Sequence, residues 1–247
     1  HRRTWRGRAP SQIVDEVELL VKEYGADGIG FVDELLSPNS ARLREICGLF
    51  LERDIRFHWY FNARADQYSE DDLRLMYGAG CRWILFGIES GSPRIRQEIH
   101  KGNTLKEVRR TFDACARVGI STIASFMFGF PGETTDDLRL TTQFAMGLKA
   151  GFYDFTRYQC YPGTEFYDRC VTEGLFQSPE TLVGWARIAS WDRVLVNLSQ
   201  VPNRDLSVVN GYFSWLNLRR VLGHGQFRTL GGYIKKFLPG RGRRGIR

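Results

Sequence analysis

Five strand-plus-helix units follow one another in single file through the first 170 residues of this chain. Short apolar runs alternate with helical patterns of ten to fifteen residues. The runs are Gly28-Ile29-Gly30-Phe31-Val32, Phe57-His58-Trp59-Tyr60-Phe61, Trp83-Ile84-Leu85-Phe86-Gly87, Ser121 to Phe128 and Phe152 to Gln159. Strands of that length separated by helices are the signature of parallel βαβ units, because parallel neighbours need a long crossover. The fold class this predicts is α/β, a partial TIM-type barrel with five βα units in this chain. In such a barrel every strand ends on the same face, so loops there can gather around one ligand while the strands stay packed. That arrangement points to an enzyme.

The helical stripes support the division. Pro10-Ser11 opens a helix whose apolar side is Ile13, Val14, Val17, Leu20 and Val21, and Gly25 stops it. A second helix covers Ala41 to Arg53. Ser69 with Asp72 three residues on predicts a capped start for the third. Further helices are expected over Thr104 to Val118, Thr135 to Leu148 and Thr164 to Glu173, with Thr164 as a cap. Ile29, Phe31, Ile84, Phe86, Met127 and Phe128 are expected in the core.

The segment 1–173 reads as the barrel and 174–247 as a basic, mainly helical extension. Of the net charge of +7, residues 174–247 carry a balance of +9 and the first 173 a balance of −2. A tail ending Arg241-Gly242-Arg243-Arg244 suits nucleic acid or an anionic surface, or is simply solvated. Trp185, Trp191 and Trp215 argue against a wholly disordered segment, and residues from about Phe176 to Leu222 are expected to pack near the barrel's open side. The final Arg241 to Arg247 are expected to be exposed. No apolar run is long enough to span a bilayer, and the basic N-terminus has no apolar stretch behind it, which argues against a secretory signal. The chain lacks an initiator Met, which reads as a start inside a longer protein.

Cys47, Cys81, Cys115, Cys160 and Cys170 have no spacing of a zinc or redox pair. They read as reduced core thiols of a cytoplasmic protein. His1, His58, His100 and His224 form no ligand pattern. No G-x-G-x-x-G or G-x-x-x-x-G-K-[ST] is present, which weakens a dinucleotide or P-loop reading.

The chemistry-bearing residues stand just past the strand ends. Asp33 and Glu34 can hold an ammonium or act as caps. Asn62 and Arg64 follow, and Arg64 offers a fork for a carboxylate or phosphate. Glu89, with Ser90 and Ser92, can accept from a sugar diol or an amine. Phe130-Pro131-Gly132 is a turn, Glu133 lies at a helix entry, and Tyr161-Pro162-Gly163 is a further turn. Nothing here supplies a nucleophile, metal cage or redox group, so the catalytic residues stay unassigned.

In this order, Phe31-Val32-Asp33-Glu34, Asn62-Ala63-Arg64, Phe86-Gly87-Ile88-Glu89-Ser90-Gly91-Ser92, Phe128-Gly129-Phe130-Pro131-Gly132-Glu133-Thr134 and Tyr161-Pro162-Gly163-Thr164-Glu165, with Arg6 and the helix opened by Pro10, resemble the radical S-adenosylmethionine (SAM) superfamily. The resemblance is to its cobalamin-binding-domain-associated branch and covers roughly residues 1 to 173. It implies a six-stranded (βα)6 barrel in the parent protein, SAM, a 4Fe–4S cluster and, in that branch, cobalamin. It also implies a small-molecule substrate and an electron donor such as flavodoxin or ferredoxin. By resemblance, the backbone at Asp33 and Glu34 receives the methionine amino group and Arg64 faces the SAM carboxylate. Glu89 and Ser90 hold ribose or the methionine moiety, Phe128 and Gly129 flank adenine, and Tyr161 lies where backbone holds the adenine edge. One departure stands out. The superfamily's Cys-x-x-x-Cys-x-x-Cys cluster loop is absent, and His1-Arg2-Arg3 resembles the sequence that directly follows it. The chain reads as the remainder of a radical SAM enzyme, unable by itself to make the radical. Two alternatives stay open: another barrel enzyme binding a phosphorylated metabolite, and a degenerate barrel binding RNA or an acidic partner.

Overall fold

The computed structural model describes residues 5–188 and 196–223. Five strands form one sheet in sequence order: β1 (Gly28–Gly30), β2 (His58–Ala63), β3 (Cys81–Glu89), β4 (Ser121–Phe128) and β5 (Phe152–Arg157). All four pairings are parallel, and the sheet curls into the half-barrel expected from the sequence. Helix α1 (Pro10–Lys22) precedes β1, and the four crossovers carry α2 (Ser40–Glu52), α3 (Glu70–Gly78), α4 (Pro93–Glu98) with α5 (Leu105–Val118), and α6 (Thr135–Met146). Beyond β5 lie α7 (Glu165–Thr172), α8 (Leu182–Ile188) and α9 (Asn203–Gly223).

Side chains alternate across the strands, and burial follows that alternation. Trp59, Phe61, Ile84, Phe86, Ala124, Phe126, Phe128, Tyr153 and Phe155 are buried against the helices. Aromatic contacts tie the layers together: Phe86 meets Phe112 of α5 at 5.3 Å, and Phe126 meets Phe144 of α6 at 6.5 Å. The opposite face, bearing Tyr60, Asn62, Leu85, Gly87, Ile123, Ser125, Met127 and Asp154, is only partly covered. Ile84, Phe86 and Phe128 are therefore core as expected. Ile29, Phe31 and Met127 are half-buried: Met127 belongs to the open face, and Ile29 and Phe31 lie on or beside the edge strand β1.

Helix entries follow local chemistry. Ser69 accepts from the Asp72 N–H while Asp72 accepts from the Ser69 N–H at 2.9 Å, the reciprocal cap predicted from the sequence. Thr104 with Glu107 and Thr134 with Asp137 repeat it, and Thr164 caps α7.

The far side of β5 is closed by α9. The Asn217 side chain accepts from the Tyr153 N–H at 2.9 Å and donates to the Tyr153 carbonyl at 2.6 Å. These are the groups another strand would take, so one amide blunts an edge that would otherwise invite pairing. Phe213 stacks on Phe155 at 4.1 Å. The expectations for Trp191 and for the basic tail from Arg241 to Arg247 fall outside the described residues.

Candidate functional site at the strand C-termini

Parallel order places the ends of β1 to β5 along one edge of the sheet, and with them most of the residues singled out in the sequence. Asp33 follows β1 and is exposed. Its carbonyl accepts from Asn62 Nδ2 of β2 at 3.1 Å, so one strand end holds the backbone of the next. Glu34 is exposed beside it. Arg64, just past β2, forks onto Asp66 with N–O distances of 3.2 and 2.8 Å. That hydrogen-bonded carboxylate raises the Arg64 pKa, and Arg64 lowers that of Asp66.

Glu89 ends β3 on the open face. Its carboxylate lies 3.2 Å from Lys101 Nζ, and both side chains are about three-quarters or more covered. Its backbone has φ +68°, in the left-handed region that a side chain seldom occupies. At the same point the β3–β4 register shifts, between Gly87 and Glu89. A strained residue at a strand end is the kind of outlier that marks a functional position.

The loop beyond Glu89 turns inward. The Ser90 hydroxyl is fully buried and lies 2.9 Å from Thr141 Oγ1 of α6, which also accepts from the Gly91 N–H. A Cβ on Gly91 would fall 2.7 Å from the Thr141 Cα, so only glycine lets the loop sit on that helix. Ser92 donates to Asp137 at 2.6 Å, and Arg94 pairs with the same carboxylate. Despite burial, these partners hold Asp137 well below the usual carboxylate range. The Ser90 and Ser92 hydroxyls thus anchor the loop to α6, while Glu89 remains on the open face.

Phe128 is buried on the helix side, and Gly129 adopts φ +81°. The Gly129 and Phe130 N–H groups both donate to Glu133 Oε2. Glu133 is wholly buried and its Oε1 has no partner. Burial pushes its pKa up to about 7, against the two backbone donors that favour the ionised form. The unfolded chain releases this proton near 4.5. Stability from the protonated group is complete below that value and is lost as pH rises through 7. Thermal melts from pH 4.5 to 7.5 are expected to show this decline, and Glu133→Gln, which cannot ionise, to flatten it. A Glu133→Gln profile identical to the parent's contradicts the assignment. Tyr161, after β5, is half-exposed and donates to Gln159.

A cavity of about 370 Å³ adjoins this edge at β1, lined by Arg6, Ile13, Val17, Ile29, Phe31 and Asp33 among others. It reaches Asp33 but none of the other candidate residues. Lys101, Asp66 and Arg96 touch these candidate residues, and the sequence does not single them out. Lys101 and Arg96 belong to α4 and its exit. The signal for that short helix is Ser92-Pro93, a cap followed by proline at the first helical position.

The five cysteines are all buried, on separate elements. Burial pushes the Cys47, Cys115 and Cys160 thiols up to about 12 and Cys81 well above its ordinary value. Among the described residues no three His, Cys, Asp or Glu side chains are grouped to hold a metal ion. An iron–sulfur cluster needs several cysteine thiolates brought together around the iron, and these thiols sit on separate elements with no three of them grouped, so they do not fit one. No helix among the described residues is long and apolar enough to cross a membrane.

A parallel half-barrel with its polar residues gathered along the strand C-termini has the layout of a barrel enzyme, and comparison with known proteins gives the class. Residues 1–145 match the radical SAM superfamily model, and the chain belongs to that superfamily. An uncharacterized methyltransferase of Pyrococcus horikoshii is 28% identical over 96% of this chain and 51% of its own length. The anaerobic magnesium-protoporphyrin IX monomethyl ester cyclase of Rubrivivax gelatinosus is 26% identical over 67% of this chain and 30% of its own length. The chain thus spans about half, or less, of these relatives. In fold, it resembles the radical SAM methyltransferase TsrM from Kitasatospora setae, solved with tryptophan and a SAM analogue. That match has a TM-score of 0.59 at 20% identity and covers 70% of this chain and 35% of that one.

Proposed function

We propose that this chain is the SAM-positioning part of a longer radical SAM enzyme that carries out methyl transfer or ring formation on a small molecule. The observation that carries the reading is Glu89, held in a strained conformation at the end of β3 with its carboxylate on the open face beside Lys101. The methionine end of SAM is a zwitterion, and this edge offers both signs. Glu89 and the Asp33 backbone, with Glu34 beside it, suit an ammonium or a ribose diol. Arg64 suits a carboxylate once a ligand competes with Asp66. Ser90 fixes the loop that carries Glu89. The half-exposed ring of Tyr161 offers a flat surface for adenine, while Phe128 and Gly129, both buried, act only by shaping the turn after β4.

SAM supplies the reactive 5′-deoxyadenosyl radical or the methyl group when bound and cleaved; this chain's residues bind, orient and exclude water. The cluster thiolates, an electron donor such as flavodoxin or ferredoxin, and cobalamin lie outside what these residues hold. The methyltransferase and cyclase relatives support the two reaction classes. TsrM, solved also with cobalamin and a 4Fe–4S cluster bound, supports cobalamin as a cofactor of the longer enzyme.

Glu89→Ala in the cluster-loaded enzyme is expected to weaken SAM binding by about 1–3 kcal/mol, the usual cost of leaving a ligand donor unpaired. Isothermal titration calorimetry measures it. Unchanged affinity would remove Glu89 from the site.

A further inference from the structure

The turn at Glu89 is costly, and something must hold it. The Ser90 N–H donates to the Ile88 carbonyl at 2.9 Å across Glu89 at φ +68°. A three-residue turn of this kind, with positive φ at its centre, is the rare, strained form of the γ-turn. Such backbones persist only where the surroundings over-determine them.

Beside the Ser90 and Gly91 bonds to Thr141, a guanidinium grips the turn itself. Arg96, on α4, is 5% exposed. Its Nη1 donates to the carbonyls on both sides of Glu89, Ile88 at 2.7 Å and Ser90 at 3.2 Å. Its Nη2 donates to the Asn103 carbonyl and to Asn103 Oδ1, the latter at 2.6 Å. All four acceptors are neutral, which is an unusual way to spend a buried cation, since such charges are ordinarily paired with a carboxylate. Arg96 also reaches Lys101 through its backbone, whose carbonyl accepts the Lys101 N–H at 2.9 Å. One residue therefore fixes the turn that presents Glu89 and the chain that presents its ammonium partner. Lysine is a poor substitute, because its single nitrogen does not reach both groups of acceptors as Nη1 and Nη2 of the planar fork do.

We propose that Arg96 is a positioning residue for ligand recognition: it clamps the γ-turn at Glu89 and thereby aims the Glu89 carboxylate at the open face. The inference rests on the reading of Glu89 as a SAM-binding group. It makes Arg96 act through Glu89 and not on the ligand.

A double-mutant cycle on the cluster-loaded enzyme tests it, with SAM affinity read by equilibrium dialysis and folding by thermal melts. Glu89→Ala and Arg96→Met are each expected to weaken SAM binding on the order of tenfold. The double variant is expected to be no weaker than Glu89→Ala, because the clamp then has nothing to aim. Arg96→Lys is expected to recover only part of the loss. If Glu89→Ala leaves affinity unchanged, the reading of the site fails and the inference falls with it. If Glu89→Ala weakens binding but folded Arg96→Met does not, or the two losses multiply, the inference alone is overturned. Should Arg96→Met fail to fold, Arg96→Lys takes its place in the same cycle, with the same non-multiplying pattern expected and a smaller loss.

Discussion

A chain ending at Gly174 is expected to lose cooperative folding and to aggregate. The cut removes α9, and with it Phe213, which is buried on Phe155 and Tyr153. Losing one such ring from a core typically costs about 3–5 kcal/mol. Leu206 and Val201 leave the same core. The Tyr153 N–H and carbonyl lose Asn217, and the turn after β4 loses two backbone bonds, from Gly132 to the Leu198 carbonyl and from Gln200 to the Glu133 carbonyl. Each buried polar group left unpaired adds about 1–3 kcal/mol. A domain has only about 5–15 kcal/mol in hand, so the sum exceeds what the fold can lose. The bared edge of β5 then provides a template for intermolecular pairing. The single change Phe213→Ala is expected to keep the fold and lower its stability by about 3–5 kcal/mol. Denaturant titration of both variants decides the point, and a soluble Gly174-terminated chain with a sharp melt would make α9 an independent appendage.

The barrel is legible in the sequence because its strands are short apolar runs with turn residues at each end. The run from Trp83 to Gly87 marks a strand, and the structure extends it to Cys81–Glu89. Two parts are not legible, for different reasons. Helix α4 has six residues, too few for a 3.6-residue period to emerge, and without it the roles of Arg96 and Lys101 have no framework. Helix α9 mixes apolar and polar residues on every side. Phe213 faces β5 while Val208, Tyr212 and Trp215 are exposed, so no polar stripe marks which face is buried.

Side-chain direction is the other limit. Glu89 and Ser90 are adjacent, and nothing in the local pattern separates them. The register shift at Glu89 sends the carboxylate to the open face and the Ser90 hydroxyl to Thr141 of α6. That division depends on the packing of Gly91 against a helix some fifty residues away, which no local pattern encodes.

If this chain orients SAM while the thiolates that hold iron come from elsewhere, residues 1–247 alone must fail to build a cluster. The most direct test is anaerobic reconstitution of those residues with iron and sulfide, followed by iron analysis, absorbance and incubation with SAM under reducing conditions. A 4Fe–4S cluster that cleaves SAM takes three thiolates from one loop and leaves the fourth iron open. Here five cysteines are buried on separate elements, with burial opposing thiolate formation. The expected result is colourless protein without bound iron and no 5′-deoxyadenosine. Brown protein with stoichiometric iron and sulfide that converts SAM to 5′-deoxyadenosine would contradict it.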